Sequence, residues 1–231
     1  MNNPFRYFNS SPEVIRLVVM MYVRYPLSLR NVEDLLAERG IDISHETIRF
    51  WWNRFGPVFA AEIRKKRVAH LRRFPQWRWH LDEVFVKING KLRYLWRAVD
   101  HEGEVLETVV TAKPDKGAAL KFLKRVMKKY GRPRKIVTDG LRPYSAAMKE
   151  VGNADRQEVG RGLSNRAENS HQPFRRRECA MQCFRSTKTL QKFSSVHAQV
   201  HNHFNQGHLV TRQVYKQRRS AALAEWRALA A

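Results

Sequence analysis

The stretch from Trp77 to Asp100, "WRWHLDEVFVKINGKLRYLWRAVD", most constrains the fold. Two runs rich in β-branched and aromatic residues flank Asn89-Gly90. Asn-Gly is the pair favoured by two-residue hairpin turns, in which both central positions need positive φ. An antiparallel strand pair, Trp77–Ile88 and Lys91–Asp100, is therefore expected. Alternation puts Leu92, Tyr94 and Trp96 on one face of the second strand and Arg93, Leu95 and Arg97 on the other. Yet Asp82-Glu83 interrupts the first strand where apolar residues should continue. Carboxylates are depleted in strands, so this pair needs a reason.

The residues that follow extend the sheet. "DHEG" is a turn into a third strand, "EVLETVVTA", which completes a meander. "DKGAALKFLKRVMKKYG" carries an apolar helical stripe at Ala118, Ala119, Phe122, Leu123, Val126 and Met127, closed by Gly131 and Pro133. "RKIVTDG" reads as a short buried strand ending in Asp139, followed by the helical segments "RPYSAAMKEVG" and "NRAENSHQPFRRRE". Strand, strand, strand, helix, strand, helix is an α/β order, in which the fourth strand joins the sheet through a crossover helix.

Ligands of such sheets sit beyond the strand ends, where Asp139 is expected. Asp82 lies midway along the first strand, the natural neighbour of the fourth. Glu168 lies on the later helix, placed to pack across the sheet edge. Three carboxylates brought together repel unless a cation joins them. Mg²⁺, which prefers carboxylate, water and phosphate oxygens, answers that need. Two such ions, with Asp82 between them and Asp139 and Glu168 completing one site each, suit phosphodiester displacement.

Charge points to the substrate. The 231 residues carry 44 Lys+Arg against 21 Asp+Glu, and the net excess is +6, +8 and +9 over residues 1–75, 76–150 and 151–231. An excess spread along the whole chain fits a long polyanion as partner. The first third reads as helices. "SPEVIRLVVMMYVRY" has Ser11 as N-cap and Pro12 at the first helical position, and Pro26 ends it. "SLRNVEDLLAERG" starts at Ser28, and "SHETIRFWWNRFG" starts at Ser44. This is a helix-turn-helix pattern, in which the last helix enters the major groove. Its DNA-contact candidates are His45, Glu46, Arg49, Asn53 and Arg54. "IRKKRVAHLRRFP" adds phosphate-tracking candidates at Lys65, Lys66 and Arg67, and the later helix adds Arg166, Arg175, Arg176 and Arg177.

Four ordered blocks resemble a known family. "YPLSLRNVEDLLAERGIDISHETIRFWWNRFGP", "WHLDEVFVKINGKLRYLWRAVDHEG", "IVTDGLRPYSAAMKE" and "GLSNRAENSHQPFRRRE" are similar to the DDE transposases of bacterial insertion sequences, within insertion sequence family six. The resemblance covers nearly the whole chain. It implies a ribonuclease H-like core, a mixed sheet with flanking helices, preceded by a small all-α helix-turn-helix domain. The expected layout is residues 1–63 for DNA binding, 64–75 as a basic linker, 76–205 as the catalytic core and 206–231 as a basic helical tail.

The resemblance implies catalytic and metal-binding roles for Asp82, Asp139 and Glu168, two Mg²⁺ ions with Mn²⁺ substituting, and strand transfer at terminal inverted repeats of double-stranded DNA. Water attacks a phosphodiester at the element end. The freed 3′-hydroxyl then attacks target DNA in line. A homodimer or higher assembly on DNA is expected, in the bacterial cytoplasm at the nucleoid. Asp139 and Glu168 stand 29 positions apart, shorter than the spacing typical of many DDE enzymes. Gly140 stands where many relatives have Lys, and "NADRQEV" lacks a His that often precedes its "RQ".

Other readings are a metal-independent regulator that keeps the fold, and a nuclease that cuts without joining. Cys179 and Cys183 make no disulfide framework, and with His201 and His203 they form only a weak zinc pattern; reduced structural thiols fit better. No apolar run of membrane-spanning length occurs, and the start lacks the layout of a signal peptide.

Overall fold

The computed structural model describes residues 3–71, 78–160, 165–181, 184–205 and 210–230. The elements are α1 (Pro12–Arg24), α2 (Leu29–Ala37), α3 (His45–Leu71), β1 (Arg78–Ile88), β2 (Lys91–Asp100), β3 (Val105–Thr111), α4 (Lys116–Tyr130), β4 (Lys135–Thr138), α5 (Arg142–Val151), β5 (Gln157–Val159), α6 (Asn165–Ala180), α7 (Thr187–Phe204) and α8 (Arg212–Arg227). The sheet order is β3-β2-β1-β4-β5. β1, β2 and β3 form the antiparallel meander, and β4 and β5 run parallel to β1. This is the ribonuclease H-like topology that the sequence led us to expect. Asn89 and Gly90 make the hairpin turn with φ of 48° and 76°.

Alternation along the strands gives the sheet two apolar faces. Trp79, Leu81, Trp96 and Ala98 pack with α4 and α5, around Phe122, Val126 and Tyr144. Val86, Ile88 and Leu95 face a second core shared by α1, α2, α3, α6, α7 and α8. The N-terminal helices are thus built into the same hydrophobic core as α7 and Trp226 of α8.

Helix α3 does not stop at Gly56-Pro57, where local signals would end it, but runs on to Leu71, through the expected basic linker. Gly56 poses no obstacle: a Cβ there would meet Val196 Cγ1 of α7 at 3.4 Å, an ordinary van der Waals distance. One contact explains how Pro57 is tolerated. Pro57 has no N–H for the carbonyl of Asn53, four residues earlier. Lys192 of α7 supplies the missing donor: its Nζ donates to Asn53 O at 2.7 Å and to Asn53 Oδ1 at 2.9 Å. Lys192→Met, which keeps the stem over Trp52 but removes the donor, is expected to lower stability by about 1–2 kcal/mol in urea unfolding. A change within ~0.3 kcal/mol would show that water serves the carbonyl equally well.

Among the described residues no helix is long and apolar enough to cross a membrane.

Candidate active site

β1 pairs with β4 only as far as His80↔Val137. Asp82 and Glu83 lie past this last pair, where the β4 side of β1 is open. Asp139 is the first residue beyond β4. The three carboxylates meet there, with one oxygen of each within 4.8 Å of the others. The turn that carries Asp139 demands glycine next to it. Gly140 has φ of +91°, and a Cβ there would meet Val159 Cγ1 of β5 at 2.9 Å. A lysine at this position would be strained whatever its charge offered.

The cluster carries negative charge at a cost. Burial, then Asp139 and Asp82 as neighbours, push Glu83 up to about 7, despite the hydrogen bond that Tyr144 Oη donates to its Oε2 at 3.0 Å. Asp139 is also raised, by burial first and by Asp82 after it, although its Oδ1 accepts the Leu141 N–H at 3.2 Å. Tyr144 is buried edge-on to Trp96 and raised well above its usual value. Asp82 Oδ1 accepts the Glu83 N–H at 2.9 Å, and its Oδ2 faces His171 Nε2 of α6 at 3.1 Å. Burial lowers His171 against the pull of Asp82.

The Glu83 shift fixes the sign of a pH effect. A carboxyl raised in the folded state contributes most stability below its unfolded value and loses it as pH rises through about 7. Glu83→Gln should therefore stabilise the metal-free protein by about 1–2 kcal/mol at pH 8, after discounting for partial exposure, and by almost nothing at pH 4. Thermal denaturation at the two pH values checks it; equal gains at both would contradict this origin of the shift.

Sequence reasoning brought Asp82 and Asp139 together by the neighbouring of β1 and β4. Glu83 reads from the sequence only as half of the acidic pair that interrupts the strand, with no place in the site. Glu168 is exposed, in the first turn of α6, and is not among the carboxylates gathered within 4.8 Å. It stands one helical turn before His171. Sequence reasoning missed His171 and Tyr144; the i+3 spacing of His171 from Glu168 was the available signal.

The DNA-contact candidates divide. Arg54, Lys65, Arg166 and Arg176 are exposed. Arg49 is exposed and paired with Glu46 at 2.7 Å, Lys66 is exposed and paired with Glu62 at 3.6 Å, and His45 Nδ1 lies 2.9 Å from Glu33. Arg175 is half-buried, bound to Glu178 and the carbonyl of Phe85. Two candidates need correction. Arg177 is 1% exposed, donates to the Leu27 carbonyl at 2.9 Å and lies over Tyr22 and Phe193, so it cannot reach a phosphate. Arg67 is largely buried in an ion pair with Glu104. Asn53 is exposed, and its Oδ1 accepts from Lys192 Nζ at 2.9 Å.

The zinc pattern does not gather among the described residues. Among the described residues the only group suited to a metal is Asp82, Glu83 and Asp139. His203 Nε2 is 2.8 Å from the Ala222 carbonyl, and Cys179 is free and exposed; Cys183 lies outside the described residues.

The three carboxylates offer an all-oxygen donor set of the kind a hard divalent cation takes, at the open end of adjoining parallel strands on a ribonuclease H-like sheet. A family model for a DDE domain matches residues 76–208. The transposase for the insertion sequence-like element IS431mec of Staphylococcus aureus is 32% identical over 202 residues, covering 85% of this chain and 88% of that protein. The transposase of IS257 in transposon Tn4003, from the same species, matches to the same extent. The chain belongs to the DDE transposases of insertion sequences. The catalytic core domain of BIV integrase is similar with a TM-score of 0.42 at 15% identity, over 65% of this chain and 99% of that one.

Proposed function

We propose that this transposase binds the terminal inverted repeats of its own element and joins their 3′ ends to target DNA, with Asp82, Asp139 and Glu168 holding two Mg²⁺ ions. The observation that carries the reading is the meeting of Asp82, Glu83 and Asp139 beyond the last β1–β4 pair, with Glu83 pushed up to about 7. Carboxylates that cost charge repulsion in the free protein are suited to a divalent cation. When bound, the cation supplies charge stabilisation for the attacking and leaving oxygens.

The residues of the chain do the rest. Asp82 and Asp139 set the position of the reacting phosphate. Tyr144 holds Glu83. Glu168, exposed in the first turn of α6, supplies the third carboxylate. Arg166 and Arg176, exposed on the same helix, neutralise backbone phosphates, and His45, Arg49 and Arg54 present the reading face of α3. Mn²⁺ substitutes for Mg²⁺, and a homodimer or larger assembly pairs the two ends at the bacterial nucleoid.

The test uses DNA carrying the sequences that flank the gene. Incubated with Mg²⁺, the protein should yield joined products whose formation stops with chelator. Specific binding without cutting, at every Mg²⁺ concentration, would establish the regulator instead. Cut ends without joining would establish a nuclease.

A further inference from the structure

We propose that His171 is a positioning residue for this site: it fixes the Asp82 carboxylate and sets the register of α6, so that Glu168 is delivered to the same metal. The inference rests on the carboxylate reading above.

A carboxylate on a free side chain turns easily about its last torsion. Asp82 cannot. Its Oδ1 is held by the Glu83 N–H at 2.9 Å and its Oδ2 faces His171 Nε2 at 3.1 Å. The His171 residue is 6% exposed, and its Nδ1 is buried without a hydrogen-bond partner. A neutral imidazole has one N–H and one bare nitrogen. With a carboxylate facing Nε2 and no acceptor at Nδ1, the proton belongs on Nε2, which donates to Asp82. The remaining lone pairs of Asp82 are then left for the cluster.

The same contact docks the helix. The carbonyl of Ser170, the residue before His171, accepts from Arg97 Nη1. Arg97 is 1% exposed and lies directly across the β1–β2 ladder from Asp82. Two consecutive residues of α6 are thus tied to two residues that face each other in the sheet. Arg97 grips main chain, which any helical residue offers. His171 grips by side chain, which selects one rotation of the helix. Glu168, three residues earlier, lies on the same side of that helix. Partners that orient metal-binding carboxylates typically contribute 10–100-fold to metal affinity.

The test compares the full-length wild type with H171Q and H171N. The Gln amide reaches Asp82 Oδ2 and the shorter Asn does not; both keep a polar group at the position. Mn²⁺ affinity is read without DNA from the electron paramagnetic signal of the free ion, joining is read in single turnover, and thermal melting without metal confirms folding. H171N should bind Mn²⁺ about 10–100-fold more weakly and recover part of its joining rate at high Mn²⁺. H171Q should stay within about threefold of wild type in both readouts. H171N with unchanged Mn²⁺ affinity, or H171Q as impaired as H171N while both melt like wild type, overturns the inference. Wild type that binds Mn²⁺ yet joins no ends sinks the transposition chemistry, and the affinity comparison still decides the role of His171. Wild type that binds no Mn²⁺ overturns both.

Discussion

Asp82→Asn is expected to reduce joining by about 10³-fold or more, while the metal-free protein melts no lower than wild type. Asparagine preserves shape: its Oδ1 can still accept the Glu83 N–H, and its amide can donate to His171 Nε2 once the imidazole proton moves to Nδ1. What it removes is charge. Asp82 raises both Glu83 and Asp139, so its neutralisation relieves repulsion in the free protein. With the charge goes the ligand, and metal stabilisation of a phosphoryl transition state is worth several kcal/mol. About 4 kcal/mol corresponds to about 10³ in rate. Single-turnover joining and calorimetric melting, run on one preparation, check both halves. Joining within tenfold of wild type would remove Asp82 from the chemistry.

The largest expected loss of stability is at Phe193→Ala. This buried α7 ring lies 6.3 Å from Tyr22 of α1, 5.6 Å from Trp52 of α3, 6.4 Å from Phe174 of α6 and 5.8 Å from Phe184, centroid to centroid. Truncation leaves a cavity where four segments meet, and such changes typically cost 3–5 kcal/mol. In a chain of this size that is a fall of roughly 10–15 °C in Tm. Because the ring joins the N-terminal helices to the element that covers the sheet, the loss should appear as one transition. If α1–α3 instead melted separately with the rest unmoved, the shared core would not be cooperative.

Much of this could be read in the chain. The Asn89-Gly90 turn, the Ser11 and Ser28 caps and the nearness of Asp82 to Asp139 all follow from local chemistry and the crossover rule. The rest depended on contacts that no local rule supplies. Gly56-Pro57 reads as a helix end because the residue that satisfies the orphaned carbonyl, Lys192, lies 139 positions away. Glu83 should face away from Asp82 by strand alternation; it joins the cluster because β4 stops pairing before it. Arg177 reads as a phosphate contact and Arg97 only as part of one strand face, yet both are buried and serve main-chain carbonyls. β5, at three residues, was too short to show a period.

The fusion of α1–α3 with α7 into one core makes the protein a ruler. If the start of α3 reads bases, the interval from those bases to the bond that is cut is set by packed side chains, not by a tether. One base pair added to that interval would move the phosphate by about 3.4 Å and turn it by about 35° around the duplex, out of reach of Asp82 and Asp139.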